Sequence, residues 1–408
     1  MRSPMVRASS VYVIVYVAIA CWAPYLSPYY NSLKLPLGAI GLLLAMTSVV
    51  SLICAPIWGT IHDRHPHAKP LIPVAATIAA TGCVGLAVCG ATWLLIPSAT
   101  AFAIGISGMT PMMDVRVLDM VVADRTRYAR VRVWGSISFL IAAPIIGFLI
   151  DRRGPGAFFL VLAPALVIGG LASLILPPRT HAVRSSSLGR APRAVLGNRP
   201  IILFLVGALV AWTAVGSQTA FFSIYLHQLG APSAVIGWAW SIAAVMEIPG
   251  MFFFPLIARR FPVEQLIVAG AVILVLRELA NVVFTDPWLL LGFSLIQGLG
   301  YSLLLIGGIT FVSRQAPRGT AATAQGILTA VASSLAAILG AGLGGMAASV
   351  VSIRGLYAGS TCLGVAAVAL IALAVLPAAR RATERAEPLP AGMDAAALEK
   401  ALETGDVP

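Results

Sequence analysis

The sequence predicts an all-α integral membrane protein, with twelve transmembrane helices arranged as two pseudo-symmetric six-helix bundles. Three observations carry that expectation. Of 408 residues, 59% are hydrophobic and only 10% are charged, and the mean hydropathy is +0.94, far outside the balance of a soluble chain. Apolar runs of about 18 residues or more, each able to cross roughly 30 Å of hydrocarbon as a helix, recur along nearly the whole length. One long polar stretch interrupts them midway.

In order, the runs are 11–33, 37–61, 70–90, 92–117, 131–150 and 156–176, then 201–226, 234–257, 263–284, 288–312, 321–350 and 356–376. The interruption at 177–200, with Ser185, Ser186, Ser187 and five arginines, divides them six and six. The expected organisation is an N-terminal bundle (1–176), a linker (177–200), a C-terminal bundle (201–376) and a tail (377–408), whose alanine-rich piece 393–404 reads as a short surface helix or disorder. An internal echo supports duplication. The second run ends in Pro56, Ile57, Trp58 and Gly59 before Asp63 and Arg64, and the eighth ends in Pro255, Leu256, Ile257 and Ala258 before Arg259 and Arg260. Repeated six-helix halves suit a carrier that rocks about a central site.

Orientation follows from counting cations. With both termini on one side, that side's ends, loops and linker carry twenty of the 27 lysines and arginines, and the opposite side carries Lys34, Arg152, Arg153 and Arg354. Arg116, Arg132 and Arg277 lie inside the runs or at their ends. The positive-inside rule therefore puts both termini in the cytoplasm of a multi-pass protein of the inner or plasma membrane. The net charge of +12 is then explained by anionic lipid and not by nucleic acid, because no basic stripe with interleaved aromatics is present.

Arg2, Arg7, the first apolar run and Ala18, Ile19, Ala20, Cys21 have the form of a lipoprotein signal, but Trp22, Pro24, Tyr25, Pro28 and Tyr29 continue past the cysteine and favour one full-length span. Cys54, Cys83, Cys89 and Cys362 sit in apolar runs without metal-ligand spacing and read as packing residues. His62, His65 and His67 share one loop, where histidines without buried supporting groups are ordinarily solvated. No metal and no cofactor is expected. An enzyme is disfavoured because no H-E-x-x-H, aspartate cluster or nucleophile elbow occurs, and a sensor because no output domain is appended.

A charged side chain at the centre of a membrane helix costs about 2.5–3.5 kcal/mol on insertion scales, so those retained mark pathways or binding sites. Asp114 closes the fourth run, and Arg132 opens the fifth. In the second half stand Glu247, two residues before a proline that frees the carbonyl of Val245, and the adjacent Arg277 and Glu278. These charges read as substrate or proton contacts, or as structural ion pairs of Asp114 with Arg132 and Glu247 with Arg277. Arg116 and Asp119 lie nearer the cytoplasmic end, within snorkelling reach of water, and read as gate or loop charges. Trp22, Tyr25, Tyr29, Trp134, Phe221, Tyr225 and Tyr301 offer either a stacking surface for a ring or sugar face, or packing. Gly340, Gly342, Gly344 and Gly345 read as close helix packing.

Pro111, Met112, Met113 and Asp114, a basic turn, and then the segment from Tyr128 through Arg132, Val133, Trp134, Gly135 and Ser136 to Phe139 resemble the fourth and fifth helices of the lactose-permease and phenylpropionate-permease branch of the major facilitator superfamily. The six-plus-six organisation extends the resemblance over the whole chain. It implies a substrate site at Asp114 and Arg132, with Trp22, Tyr25 and Trp134 as neighbouring candidates. Glu247 and Arg277 match the acid of the eighth helix and the arginine of the ninth, and with Glu278 they are the proton-coupling candidates. Gly59, Asp63, Arg64 and Lys69 resemble the superfamily's gate loop between helices two and three, although Pro66 and His67 replace its usual glycine and arginine. Gln297 and Gly300 stand where the lactose-type branch carries a titratable histidine and glutamate, which leaves the proton to Glu247, Asp114 or Glu278.

The expected function is a monomeric secondary active transporter that works by alternating access, taking up a small polar or aromatic solute (an aromatic carboxylate, sugar or nucleoside) together with protons. Two intramembrane arginines suit a carboxylate, and Asp114 beside Arg132 suits hydroxyls. Both remain open. Proton-coupled efflux of drugs or metabolites is the alternative, because direction follows gradients and not fold.

Overall fold

A computed structural model describes residues 4–65, 67–88, 92–120, 125–177, 191–317 and 319–385. Most of the linker, Cys89 and the 393–404 segment lie outside them. The first half comprises α1 (Pro4–Ser32), α2 (Leu37–Arg64), α3 (Leu71–Ala87), α4 (Thr92–Met120), α5 (Arg125–Arg153) and α6 (Phe159–Ala172), the last followed by a 3-10 turn. A short α7 (Ala191–Leu196) precedes α8 (Arg199–Gln228), α9 (Ser233–Ile257), α10 (Val263–Val283), α11 (Pro287–Gln315), α12 (Ala321–Thr329), α13 (Ala336–Val351) and α14 (Ile353–Arg385). Among the described residues ten helices are long and apolar enough to cross a membrane, α12 and α13 counting as one, and two shorter apolar helices occupy the third and sixth runs.

Helix ends depart from the apolar runs for a physical reason. Hydropathy marks hydrocarbon depth, whereas backbone hydrogen bonding carries a helix on into the polar interface. Hence α1 starts at Pro4, α5 at Arg125, and α14 runs on to Arg385. Where capping chemistry exists it sets the ends. Asp286 accepts the Trp288 N–H at 2.9 Å with Pro287 in the first turn, and Asn198 does the same for α8, ahead of Pro200. The eleventh run holds a π-helical segment, Ala330–Leu335, joining α12 to α13.

In the first half α1 packs on α5 and α6, α4 on α2 and α3, and α3 on α6; in the second α8 packs on α13 and α14, and α11 on α9 and α10. Two long seams join the halves, α2 with α13 and α5 with α9. Small residues set the first seam, as a Cβ added at Gly41 would come within 2.7 Å of the Gly345 Cα. Gly340 lets α13 approach α8, where an added Cβ would lie 2.6 Å from the Ser217 nitrogen. Such backbone approach is how helices associate without a hydrophobic driving force.

The seams are tight only toward the ends where α1 finishes and α2 begins. Toward the other end Arg132, near the start of α5, keeps 46% of its side-chain surface exposed and Asp114 of α4 21%, so a crevice opens toward the α2–α3 turn and the start of α5.

Candidate functional site

Asp114 and Arg132 meet in this crevice. Arg132 Nη1 donates to Asp114 Oδ2 at 3.2 Å and to the Tyr128 hydroxyl at 2.9 Å, and the two side chains are 46% and 21% exposed. The Tyr12 hydroxyl donates to the other carboxylate oxygen, Oδ1. Helical spacing places these groups: Tyr128 and Arg132 lie one turn apart on α5, and Tyr12 and Tyr16 one turn apart on α1. Gly135 seats the Tyr16 ring, because a Cβ there would come within 2.8 Å of it. Tyr16 has Arg132, Asp114, Tyr128 and Glu247 as its electrostatic neighbours.

Glu247 extends the cluster across the molecule. The alternative of a structural Glu247–Arg277 ion pair is not formed; the charge that acts on Glu247 is Arg132 of the first half, and Glu247 in turn acts electrostatically on Tyr301 of α11. Arg277 instead points into the second bundle. It donates to Asn281 Oδ1 at 2.5 Å, lies with its guanidinium carbon 4.5 Å from the centre of the Phe222 ring, and is buried with Glu278, Asn281 and Tyr357. The reason is local: Asn281 is one turn from Arg277 on α10 and supplies the acceptor that Glu247, on another helix, would provide in that pair. Glu278 stays in the same closed knot.

The remaining candidates separate from the cluster. Tyr25 is buried, donating to the carbonyls of Ala143 (2.6 Å) and Ser233 (3.2 Å) and so linking α1, α5 and α9. Trp22 packs edge-on to Phe102 with ring centres 6.0 Å apart, beside a small cavity of about 170 Å³ within the first half. Trp134 is 51% exposed on an apolar flank. Gln297 forms a reciprocal amide pair with Gln218, both bonds 3.3 Å, next to Trp240 and Phe222 in a small cavity of the second half.

Asp63 and Arg64 end α2, both exposed, but the loop is held from elsewhere. Arg116 does not snorkel to water. It is 1% exposed and donates from Nη2 to the Ala68 carbonyl at 2.8 Å and from Nε to His62 Nε2 at 3.3 Å. His62 is accordingly buried and not solvated. A guanidinium has five donors in a fixed fork, so it can bind the turn's carbonyls and the histidine together; this outweighs the reach to solvent.

Tyr12 and Tyr16, the contact of Tyr128 with Arg132 and the pairing of Gln297 with Gln218 escaped sequence reasoning, although the one-turn spacing of Tyr12 and Tyr16 was a legible signal. Chemically, the cluster offers two carboxylates, one guanidinium and several phenols at the meeting of both halves, with Arg132 and Asp114 partly exposed.

These features define a transporter, and the chain belongs to the MFS_1 like family, whose model matches residues 5–358. It is a multi-pass membrane protein and a secondary transporter of small solutes. The maltose permease of Geobacillus stearothermophilus is 26% identical over 327 residues, 80% of this chain and 83% of that one. A probable 3-phenylpropionic acid transporter of Escherichia coli (strain K12) is 23% identical over 202 residues, 48% of this chain and 53% of that one. The crystal structure of the nucleoside transporter NupG superposes with a TM-score of 0.80 at 17% identity, covering 92% of this chain and 98% of that one, a likeness of fold.

Proposed function

We propose that the protein takes up a small neutral polyhydroxyl solute, a sugar or nucleoside, in symport with protons. The observation that carries this reading is the charge set at the centre: one arginine, Arg132, paired with Asp114 at 3.2 Å and acting electrostatically on a second carboxylate, Glu247. With Arg277 turned away into the second bundle, Arg132 is the one guanidinium at the centre, and its partner there is already the Asp114 carboxylate, which leaves no unpaired cation for an anionic substrate. Hydroxyl groups instead find acceptors in the carboxylates and donors in the guanidinium and phenols. Relatives named for maltose and nucleosides support the same reading.

Residues 1–176 and 201–376 act as the two rocking halves. The cation count supports placing the open end of the crevice, both termini, the 177–200 linker and the 377–408 tail in the cytoplasm of an inner or plasma membrane protein. Substrate then enters from outside when the seams near Tyr25 part. Glu247 carries the proton, since Gln297 and Gly300 have no titratable group, and its neighbour Arg132 links proton loading to the substrate groups.

The test is uptake into membrane vesicles with an imposed inward proton gradient and a panel of labelled disaccharides, nucleosides and aromatic acids. Gradient-driven accumulation of a neutral sugar or nucleoside is expected. Accumulation of aromatic acids alone overturns the substrate reading, and neutral-solute uptake indifferent to the gradient overturns the coupling.

A further inference from the structure

The flank of α5 turned away from α9 bears a furrow. Its floor is α1 at Val17, its walls are α5 at Trp134, Ile141, Ile145 and Leu149 and α6 at Val161, and its volume is about 460 Å³. Ile141 and Ile145 are more than half exposed, so this face looks outward to the bilayer. Trp134 and Leu149 are fifteen residues apart on one helix, about 22 Å at 1.5 Å per residue. That exceeds the depth of one leaflet, about 15 Å or half of the hydrocarbon core, so an acyl chain can lie in the furrow along its full length.

The furrow ends at a charge. Arg152 is seven residues beyond Ile145 and three beyond Leu149, on the same side of α5, and its guanidinium carbon stands 4.4 Å from the centre of the Phe148 ring. Arg153 follows it. Arg152 and Arg153 are two of only four cations on a side otherwise poor in them, a placement the positive-inside rule disfavours. The adjacent acid, Asp151, turns both carboxylate oxygens to backbone N–H groups of α9, and even with its charge counted the pair keeps a net positive charge.

We propose that this furrow binds one anionic phospholipid, its acyl chain lying along α5 between α1 and α6 and its phosphate held by Arg152 and Arg153. Apolar length supplies retention, and the arginine pair supplies headgroup choice. Arginine suits this task, since its fork grips two phosphate oxygens while its flat face rests on an aromatic ring.

The experiment is native mass spectrometry of the purified full chain in detergent micelles, with phosphatidylglycerol and phosphatidylcholine of identical chains supplied in equal amount. One phosphatidylglycerol is expected to be retained in preference. The Arg152→Gln/Arg153→Gln double variant should lose that preference, by about fivefold per arginine, while the Arg152→Lys/Arg153→Lys variant keeps most of it. Ile145→Trp, which fills the furrow, should lower retention of both lipids. Equal retention of the two lipids by the parent, or an undiminished preference in the double glutamine variant, overturns the proposal. So does competition by free glycerol phosphate as effective as by the whole lipid, which indicates a phosphate site without a lipid.

Discussion

Asp151 of α5 accepts the backbone N–H of Ser233 at 2.7 Å, and its second oxygen accepts that of Ala234 at 3.0 Å, so a carboxylate from one half caps the first turn of a helix in the other. The cap fastens the α5–α9 seam at the closed end, where Tyr25 adds its bond to the Ser233 carbonyl. A carboxylate at a helix N-terminus satisfies orphan donors and the helix dipole, worth typically about 1 kcal/mol. Asp151→Ala should therefore shift the balance of conformations toward opening at this end by about fivefold. Spin labels at Lys34 and Val350, which flank the neighbouring seam, should report a larger long-distance population, and an unchanged distribution refutes the latch.

Arg132→Lys should reduce transport at least about tenfold while leaving expression and membrane insertion intact. Lysine keeps the charge but loses the fork that reaches Asp114 and Tyr128 together, and each hydrogen bond to a charged group is worth about 1.5–3 kcal/mol. Uptake within about twofold of the parent removes Arg132 from the site.

Arg116→Ala should lower thermal stability, because the buried His62 nitrogen and the Ala68 carbonyl lose their donor, at about 1–3 kcal/mol for each group left unsatisfied. Arg64→Ala, at an exposed position, should change the melting temperature little. Equal effects of the two changes rule out Arg116 as the anchor of the loop.

The fold was legible in the chain because a bilayer forces each crossing segment to be helical and apolar, and that constraint is written in every run. The Asp114–Arg132 contact was legible too, since two charges at the ends of consecutive helices have few other places to go. Glu247 and Arg277 were not. Both lie in apolar runs, but which face each presents depends on helix rotation, and neither the weak amphipathic pattern of a membrane helix nor the position of Asn281 one turn away announces it. Arg116 misled for a related reason: snorkelling is a property of the side chain alone, whereas the acceptors that captured it come from a turn some fifty residues earlier.

Topology is tested by labelling at described positions. In a cysteine-free background, Ala194→Cys on α7 should resist an impermeant maleimide applied to intact cells and react in inverted vesicles, and Val350→Cys, at the end of α13 and 84% exposed, should do the reverse. The opposite pattern inverts the orientation, with the crevice then opening outward.

The decisive prediction concerns Glu247. In the second half the position that carries a titratable histidine in the lactose-type branch is Gln297, whose amide is engaged with Gln218, and Glu278 is enclosed beside Arg277 with 3% exposure, remote from the crevice. Glu247 alone among the second-half carboxylates joins the central cluster, with Arg132 of the first half as its charged neighbour. On the proposed mechanism, charged Glu247 attracts Arg132 across the gap between the halves, and its protonation releases Arg132 to Asp114 and the solute. A carrier that must release a proton before resetting empty loses net accumulation when this carboxylate becomes an amide, yet exchange needs no net proton movement. Glu247→Gln should thus abolish gradient-driven accumulation and preserve counterflow of labelled substrate. A variant that still concentrates substrate under an inward proton gradient places coupling elsewhere, whereas loss of both modes assigns Glu247 to substrate binding or to the fold.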